Sequence, residues 1–196
     1  TPSVHPSALI DSSALVEGGA EVGPFVVVEA HARVRRGAHL KAYVFVGEGA
    51  EVGEGATLEV RATLLAGCEV GARAQVGPGA VVGAQGFGLD QAGLLPHLGR
   101  AVIGEGASLG ALTCIDRATL GTTRVAPHAQ LDNLVQVGHN AHVGQGAVLC
   151  AQVGLAGGAV IEAGAQLGGQ AGVGNRVVVG EGAQVAAQSG VTKALK

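Results

Sequence analysis

The chain is almost without aromatic side chains. Its 196 residues include three Phe and one Tyr, with no Trp and no Met. A globular core of this size ordinarily fills its irregular gaps with those residues. Here the 47% hydrophobic content comes mainly from Val, Leu, Ile and Ala, which points to a regular interior. Charge is also scarce: 14% of residues are charged and the net charge is −3. No basic field is present to hold nucleic acid or an anionic membrane. No apolar run approaches the ~18 residues of a membrane span, and no secretion signal is visible. The chain begins at Thr1 rather than Met, so a missing or processed N-terminus is open. Three cysteines, Cys68, Cys114 and Cys150, fit neither disulfide nor zinc spacing. Their pattern predicts a reducing compartment and hence a cytoplasmic protein.

Glycine is what the chain has in excess. It counts 35 residues, far above the usual ~7%. Such an excess fits disorder, collagen or a solenoid. Disorder is excluded by the hydrophobicity, and collagen by the lack of glycine at every third position. A six-residue repeat carries the third option. Counting by six from Val4, through Ile10 and Val16 to Val82, every position is aliphatic. Four residues after each stands a small or β-branched residue: Ala8, Ala14, Ala20, Val26 and on to Gly86. A second run starts at Ile103, Leu109 and Ile115, takes two five-residue steps to Leu120 and Val125, and then keeps to six from Leu131 to Val191.

A period of six would smear an apolar stripe around an α-helix. It fits a short strand followed by a turn, with both the aliphatic and the small residue pointing inward and stacking into ladders. Glycine after the aliphatic residue, as in Val46-Gly47 and Val52-Gly53, suggests a bend of positive φ. Three repeats per coil would give about ten coils and a prism roughly 48 Å long at a strand spacing of ~4.8 Å. The predicted fold is all-β, a parallel β-helix over 1–192 with a short tail at 193–196. Residues 88–102 fall outside the register and are read as an inserted loop, where function is expected to sit.

Once the ladders are assigned to packing, few residues with chemistry are left. His139, in Val137-Gly138-His139-Asn140, occupies a corner, and imidazole is the natural general base near neutral pH. Eighteen residues on, one coil above, lies Gly157. A glycine there leaves space beside His139 and offers a backbone N–H to a developing oxyanion. Asp116-Arg117 reads as a local, structural ion pair shaping the two five-residue steps. The cysteines read as inert.

The repeat resembles the hexapeptide-repeat superfamily, mostly acyltransferases, which implies a left-handed coil, a trimer, and sites between neighbouring prisms. A more specific resemblance lies in Gln85-Gly-Phe-Gly88, Leu98-Gly-Arg100, Ile115-Asp-Arg117 and Leu131-Asp-Asn-Leu-Val-Gln-Val-Gly-His-Asn140. In order and spacing these resemble the UDP-3-O-(3-hydroxyacyl)glucosamine N-acyltransferases of lipid A synthesis, with Ala118 in place of a family glycine. The resemblance implies that His139 takes a proton from the glucosamine 2-amine. The amine then attacks a 3-hydroxyacyl thioester on acyl carrier protein, and the Gly157 N–H steadies the oxyanion. It implies direct transfer with no metal, cofactor or covalent enzyme intermediate. Asp132 matches a family carboxylate near the sugar, and Phe87 lies in the family's Gly-Phe-Gly loop. Asn133, Gln136 and Asn140 are left with two roles, orienting His139 and lining the groove, or hydrogen-bonding corner backbone.

Three departures from the family stand out. The family's uridine-gripping N-terminal domain and helical C-terminal extension are expected to be lacking here, since the sequence starts directly in the repeat and stops at Ala194-Leu195-Lys196. Arg176 stands where the family carries a second histidine; it suits a phosphate but not a base. Two other functions compete: a shortened homologue acting on another sugar or serving as a non-catalytic trimeric scaffold, and a γ-type carbonic anhydrase. The latter needs three converging His ligands, and only His139 and His142 lie close in sequence.

Overall fold

The computed structural model describes residues 1–90 and 93–196. They form a three-sided, left-handed parallel β-helix. Three sheets of ten, ten and nine strands make its faces. Most strands are two residues long, because each face is crossed in two residues before the chain turns. Each strand pairs in parallel with the one a coil away: Ser3 faces Glu21 on the first face, Leu9 faces Val27 on the second, and Leu15 faces Arg33 on the third.

The repeat's two inward positions form the core. Val28, Val34, Leu40, Leu58 and Leu64 are at most 2% exposed, as are the small residues Ala32, Ala38, Ala56 and Ala62. Cys68 takes a small position and is wholly buried. The first residue of each strand points outward, so Leu9 and Leu15 are exposed on the surface.

Glycine after the aliphatic residue has a different cause from the one its position suggests. Gly47 and Gly53 do not have positive φ; the left-handed residues come two positions later, at Gly49 and Gly55. What confines Gly47 and Gly53 is the next coil. A Cβ on Gly53 would stand 2.5 Å from the backbone N of Ala72, and one on Gly47 2.6 Å from that of Ala66.

The register locates two interruptions. Below the insertion, partners are 18 residues apart. Across it, Glu69 faces Val102 and Val81 faces Cys114, so the coil holds fifteen extra residues. That matches the length of 88–102. Within the loop, Leu89–Asp90 pairs antiparallel with Gly93–Leu94; Gln91 and Ala92 lie outside the described residues. In the next coil Cys114 faces Gln136 and Arg124 faces His142. The two five-residue steps are therefore a single ten-residue passage from Ile115 to Val125. Leu120 is not a rung of the ladder but is 70% exposed. The passage lengthens the third face locally, where Arg100–Ile103 pairs with Thr122–Val125 over four residues.

Asp116 and Arg117 do not form the expected ion pair. The Arg117 guanidinium donates to the carbonyls of Gly83 and Ala66 at 2.8 and 2.9 Å, while Asp116 turns the other way and is buried. Residues after 192 stay attached to the last coil, with Leu195 bridging to Val179. Among the described residues no helix is long and apolar enough to cross a membrane.

Inward and outward residues should respond differently to truncation. Leu64→Ala is expected to cost about 2–5 kcal/mol, and Leu9→Ala within about 0.5 kcal/mol of the parent. Urea unfolding followed by circular dichroism compares the two.

Candidate active site

Both interruptions leave the coil at one corner, between the second and third faces. The fifteen-residue insertion lies between Val82 and Ile103, and the extension between Ile115 and Val125. His139 turns the same corner in the coil that follows, between Gln136–Val137 and His142–Val143. A regular corner has no room for chemistry beyond its own turn. Two irregular corners stacked beneath the His139 turn supply it.

Asn140 sets the proton position on the His139 ring. It sits at φ 59°, a left-handed conformation that Asn tolerates better than most residues. Its Nδ2 donates to the Leu120 carbonyl at 2.9 Å, and its Oδ1 accepts from the Thr119 N–H at 3.0 Å. The amide is thereby oriented, and the oxygen that lies 3.2 Å from His139 Nδ1 is an acceptor. Nδ1 therefore carries the proton, with the Thr119 hydroxyl 3.3 Å away. The lone pair is left on Nε2, the arrangement a general base needs.

Nε2 faces Gly157 on the coil above. A Cβ there would stand 2.5 Å from Nε2 and 2.7 Å from Cε1, so only glycine fits. The Gly158 N–H is used up on the His139 carbonyl at 2.8 Å, while the Gly157 N–H has no acceptor among the described residues. The base nitrogen thus borders a residue whose backbone N–H is uncommitted among the described residues.

Two further groups approach from below, and the sequence reading did not single them out as site residues. Asp116 is 8% exposed. Burial pushes its pKa up; the Gln136 amide, Cys114 and the nearby imidazoles of His139 and His97 pull it back. His97 is 4% exposed, and its ring packs edge-on against that of His139 with centroids 4.9 Å apart and planes at 68°. The signal for Asp116 was present in the Ile-Asp-Arg string but was absorbed by its neighbour Arg117. His97 lay inside the insertion with no partner legible in sequence.

Other candidates lie elsewhere. Asp132 and Asn133 turn the corner between the first and second faces, across the Gln136–Val137 strand from His139. There Asn133 Oδ1 accepts from the Ala111 N–H at 2.7 Å and Asp132 Oδ1 from the Asn133 N–H at 2.7 Å. Asn133 thereby caps its corner. Asn140 does both, capping the passage at Thr119 and Leu120 and orienting His139. Arg176 shares the His139 corner, its N–H donating to the Gly157 carbonyl at 3.1 Å and its stem lying over Gly158. Phe87, Leu98 and Leu120 border the corner and are 70–76% exposed. His142 stands on the third face beside Arg124, away from His139. Among the described residues no group of three or more His, Cys, Asp or Glu is placed to hold a metal.

No family model matches the chain. It is 49% identical over 84 residues to UDP-3-O-acylglucosamine N-acyltransferase 2 of Legionella pneumophila strain Paris, a match covering 41% of this chain and 24% of the relative. It is 47% identical over 90 residues to the UDP-3-O-acylglucosamine N-acyltransferase of Anaeromyxobacter sp. strain K, covering 41% and 25%. The match spans about a quarter of the length of these relatives. Among solved structures, the Arabidopsis UDP-N-acetylglucosamine acyltransferase superposes with a TM-score of 0.87 at 22% identity, over 97% of this chain and 69% of that one. The Moraxella catarrhalis UDP-N-acetylglucosamine O-acyltransferase superposes with a TM-score of 0.73 at 23% identity, over 97% and 67%.

The thiols give a direct check on this environment. Burial, with Asp116 beside it, pushes the Cys114 thiol up to about 11, and burial also raises that of Cys68. The thiolate is the reactive form, so alkylation of Cys114 should rise as pH climbs toward 11. At pH 8, intact mass after iodoacetamide should show the exposed Cys150 modified first, with Cys68 and Cys114 following only in denaturant.

Proposed function

We propose that this chain is the catalytic β-helix of an acyltransferase acting on a UDP-linked sugar. The reaction is transfer of a 3-hydroxyacyl chain from acyl carrier protein to the 2-amine of a UDP-3-O-acylglucosamine. One observation carries the reading: His139 is held with its Nδ1 proton toward Asn140, so that its Nε2 is turned to the space that Gly157, lacking a side chain, leaves open on the coil above. The likeness to named N-acyltransferases over 84–90 residues supports the choice of acceptor.

In this reaction Nε2 of His139 removes a proton from the amine as its nitrogen attacks the thioester carbonyl. The Gly157 N–H donates to the oxyanion of the tetrahedral intermediate. Collapse breaks the carbon–sulfur bond, and the proton on His139 goes to the departing thiolate, leaving an amide and free thiol. Asp116 faces the imidazolium while it exists. No metal, cofactor or covalent enzyme intermediate is required.

Substrate contacts are assigned by position. Asn140 and Gln136 border the reacting centre. Arg176, over Gly158, suits a phosphate of the nucleotide. Phe87 borders the acyl groove, and Asp132 with Asn133 lies at the far edge of the second face, on the sugar's path. The active unit is taken to be a cytoplasmic homotrimer, in which a neighbouring prism covers the apolar border of Phe87, Leu98 and Leu120.

O-acyl transfer to UDP-N-acetylglucosamine is the second reading, favoured by the fold of the superposable structures. Purified protein supplied with 3-hydroxyacyl-acyl carrier protein and each acceptor separates the two. We expect amide product from the 3-O-acylated amine, with His139→Ala reducing kcat about 10²–10⁴-fold and Gly157→Ala about 10²-fold or more. Equal rates in parent and His139→Ala would overturn the assignment. Binding of neither acyl-pantetheine nor UDP-sugar would point to a scaffold.

A further inference from the structure

We propose that His97, carried in by the inserted loop, is a positioning residue for His139. This rests on the reading of His139 as the base and adds a part that reading does not require. His97 is one of four polar or charged residues buried among the described residues, at 4% exposure. Its Nε2 has no hydrogen-bond partner among the described residues, and a buried unpaired nitrogen costs stability. A residue chosen only to fill space would be apolar.

The imidazole has two edges with different tasks. At one, Nδ1 lies 2.9 Å from the Leu95 carbonyl and 2.8 Å from the Gln85 side-chain amide, which itself donates to that carbonyl at 2.9 Å. Gln85 lies before the insertion and Leu95 near its end, so this edge fastens the loop across its base. The other edge reaches past Gly86 to the His139 ring. A Cβ on Gly86 would stand 2.7 Å from His97 Nε2 and 3.0 Å from the His139 Cβ. Glycine at 86 is what allows the two rings to meet.

The contact matters because hydrogen bonding alone leaves His139 loosely held. Its Nδ1 partners are 3.2 and 3.3 Å away, at the long end of the range. Edge-to-face packing against a buried, fastened ring fixes the plane those bonds leave soft. With it the ring keeps Nε2 on Gly157; without it the ring can swing toward the exposed side of the corner. His97 touches no reacting atom in this scheme and acts through His139.

The test uses His97→Ala, His97→Gln and His97→Phe in the full chain, with folding checked by circular dichroism. His139 is followed by long-range 15N–1H correlation, its signal assigned by loss in His139→Gln. The parent is expected to show one tautomer with the proton on Nδ1. His97→Ala and His97→Gln should show a mixture, and kcat should fall about tenfold or more with KM within about twofold. His97→Phe keeps the ring contact and should retain the parent tautomer and most of kcat. Gly86→Ala, which pushes the rings apart, should resemble His97→Ala and covers the case in which that variant does not fold. An unchanged His139 tautomer in His97→Ala, His97→Gln and Gly86→Ala overturns the proposal, as does His97→Phe falling as far as His97→Ala. Altered tautomers in a chain whose parent transfers no acyl group would uphold the positioning role and sink the proposed reaction instead.

Discussion

Hydrogen bonding between coils is the constraint on which the rest of the structure depends. The backbone of each coil bonds to the next at short distances, as from the N–H of Ser3 to the Ala20 carbonyl at 2.8 Å and from that of Glu21 to Ala38 at 2.9 Å. Buried backbone groups left without partners are costly. Any residue beyond eighteen in a coil must therefore leave at a corner and rejoin in register. That is what the insertion does, with Val102 and Ile103 resuming pairing opposite Glu69 and Val70. The passage from Ile115 to Val125 obeys the same rule one coil later.

A regular coil can pack but has little with which to do chemistry, since its inward residues are aliphatic or small and its corner is a tight turn. Stacking the irregular corners beneath the turn of His139 changes this. The passage supplies the Thr119 and Leu120 backbone that orients Asn140, and Asn140 in turn sets the His139 tautomer. The insertion supplies His97, and the strand end at Asp116 supplies a buried carboxylate near both imidazoles. From above, the unbroken repeat contributes room, where Gly157 lacks a side chain. The candidate base is thus built by departures from the repeat and held open by adherence to it.

The division explains what could be read from the sequence. Ladders depend on side-chain size at fixed spacing, so Val28 or Ala62 is assignable from its position alone, as is the extent of the insertion. Stacking by eighteen also foretold that Gly157 meets His139. Reading failed where geometry rather than spacing decides. Leu120 satisfies a five-residue count yet points to solvent, because the chain there runs ten residues from one face to the next. Gly53 looks like a turn glycine but is confined by Ala72 of the neighbouring coil. Asp116 and Arg117 are adjacent and oppositely charged, but the Arg117 guanidinium is taken up by the Gly83 and Ala66 carbonyls. His97 was hidden because an irregular loop has no register from which to read its contacts.

Excision of residues 88–102 tests most directly whether packing and chemistry are divided between the repeat and its exceptions. The deletion places Ile103 six positions after Val82 and so restores the spacing of the regular coil. A folded β-helix is expected, with a circular dichroism spectrum and urea midpoint close to those of the parent and no acyl transfer. Loss of the folded β-helix, or retention of His139-dependent transfer without the loop, would contradict that division.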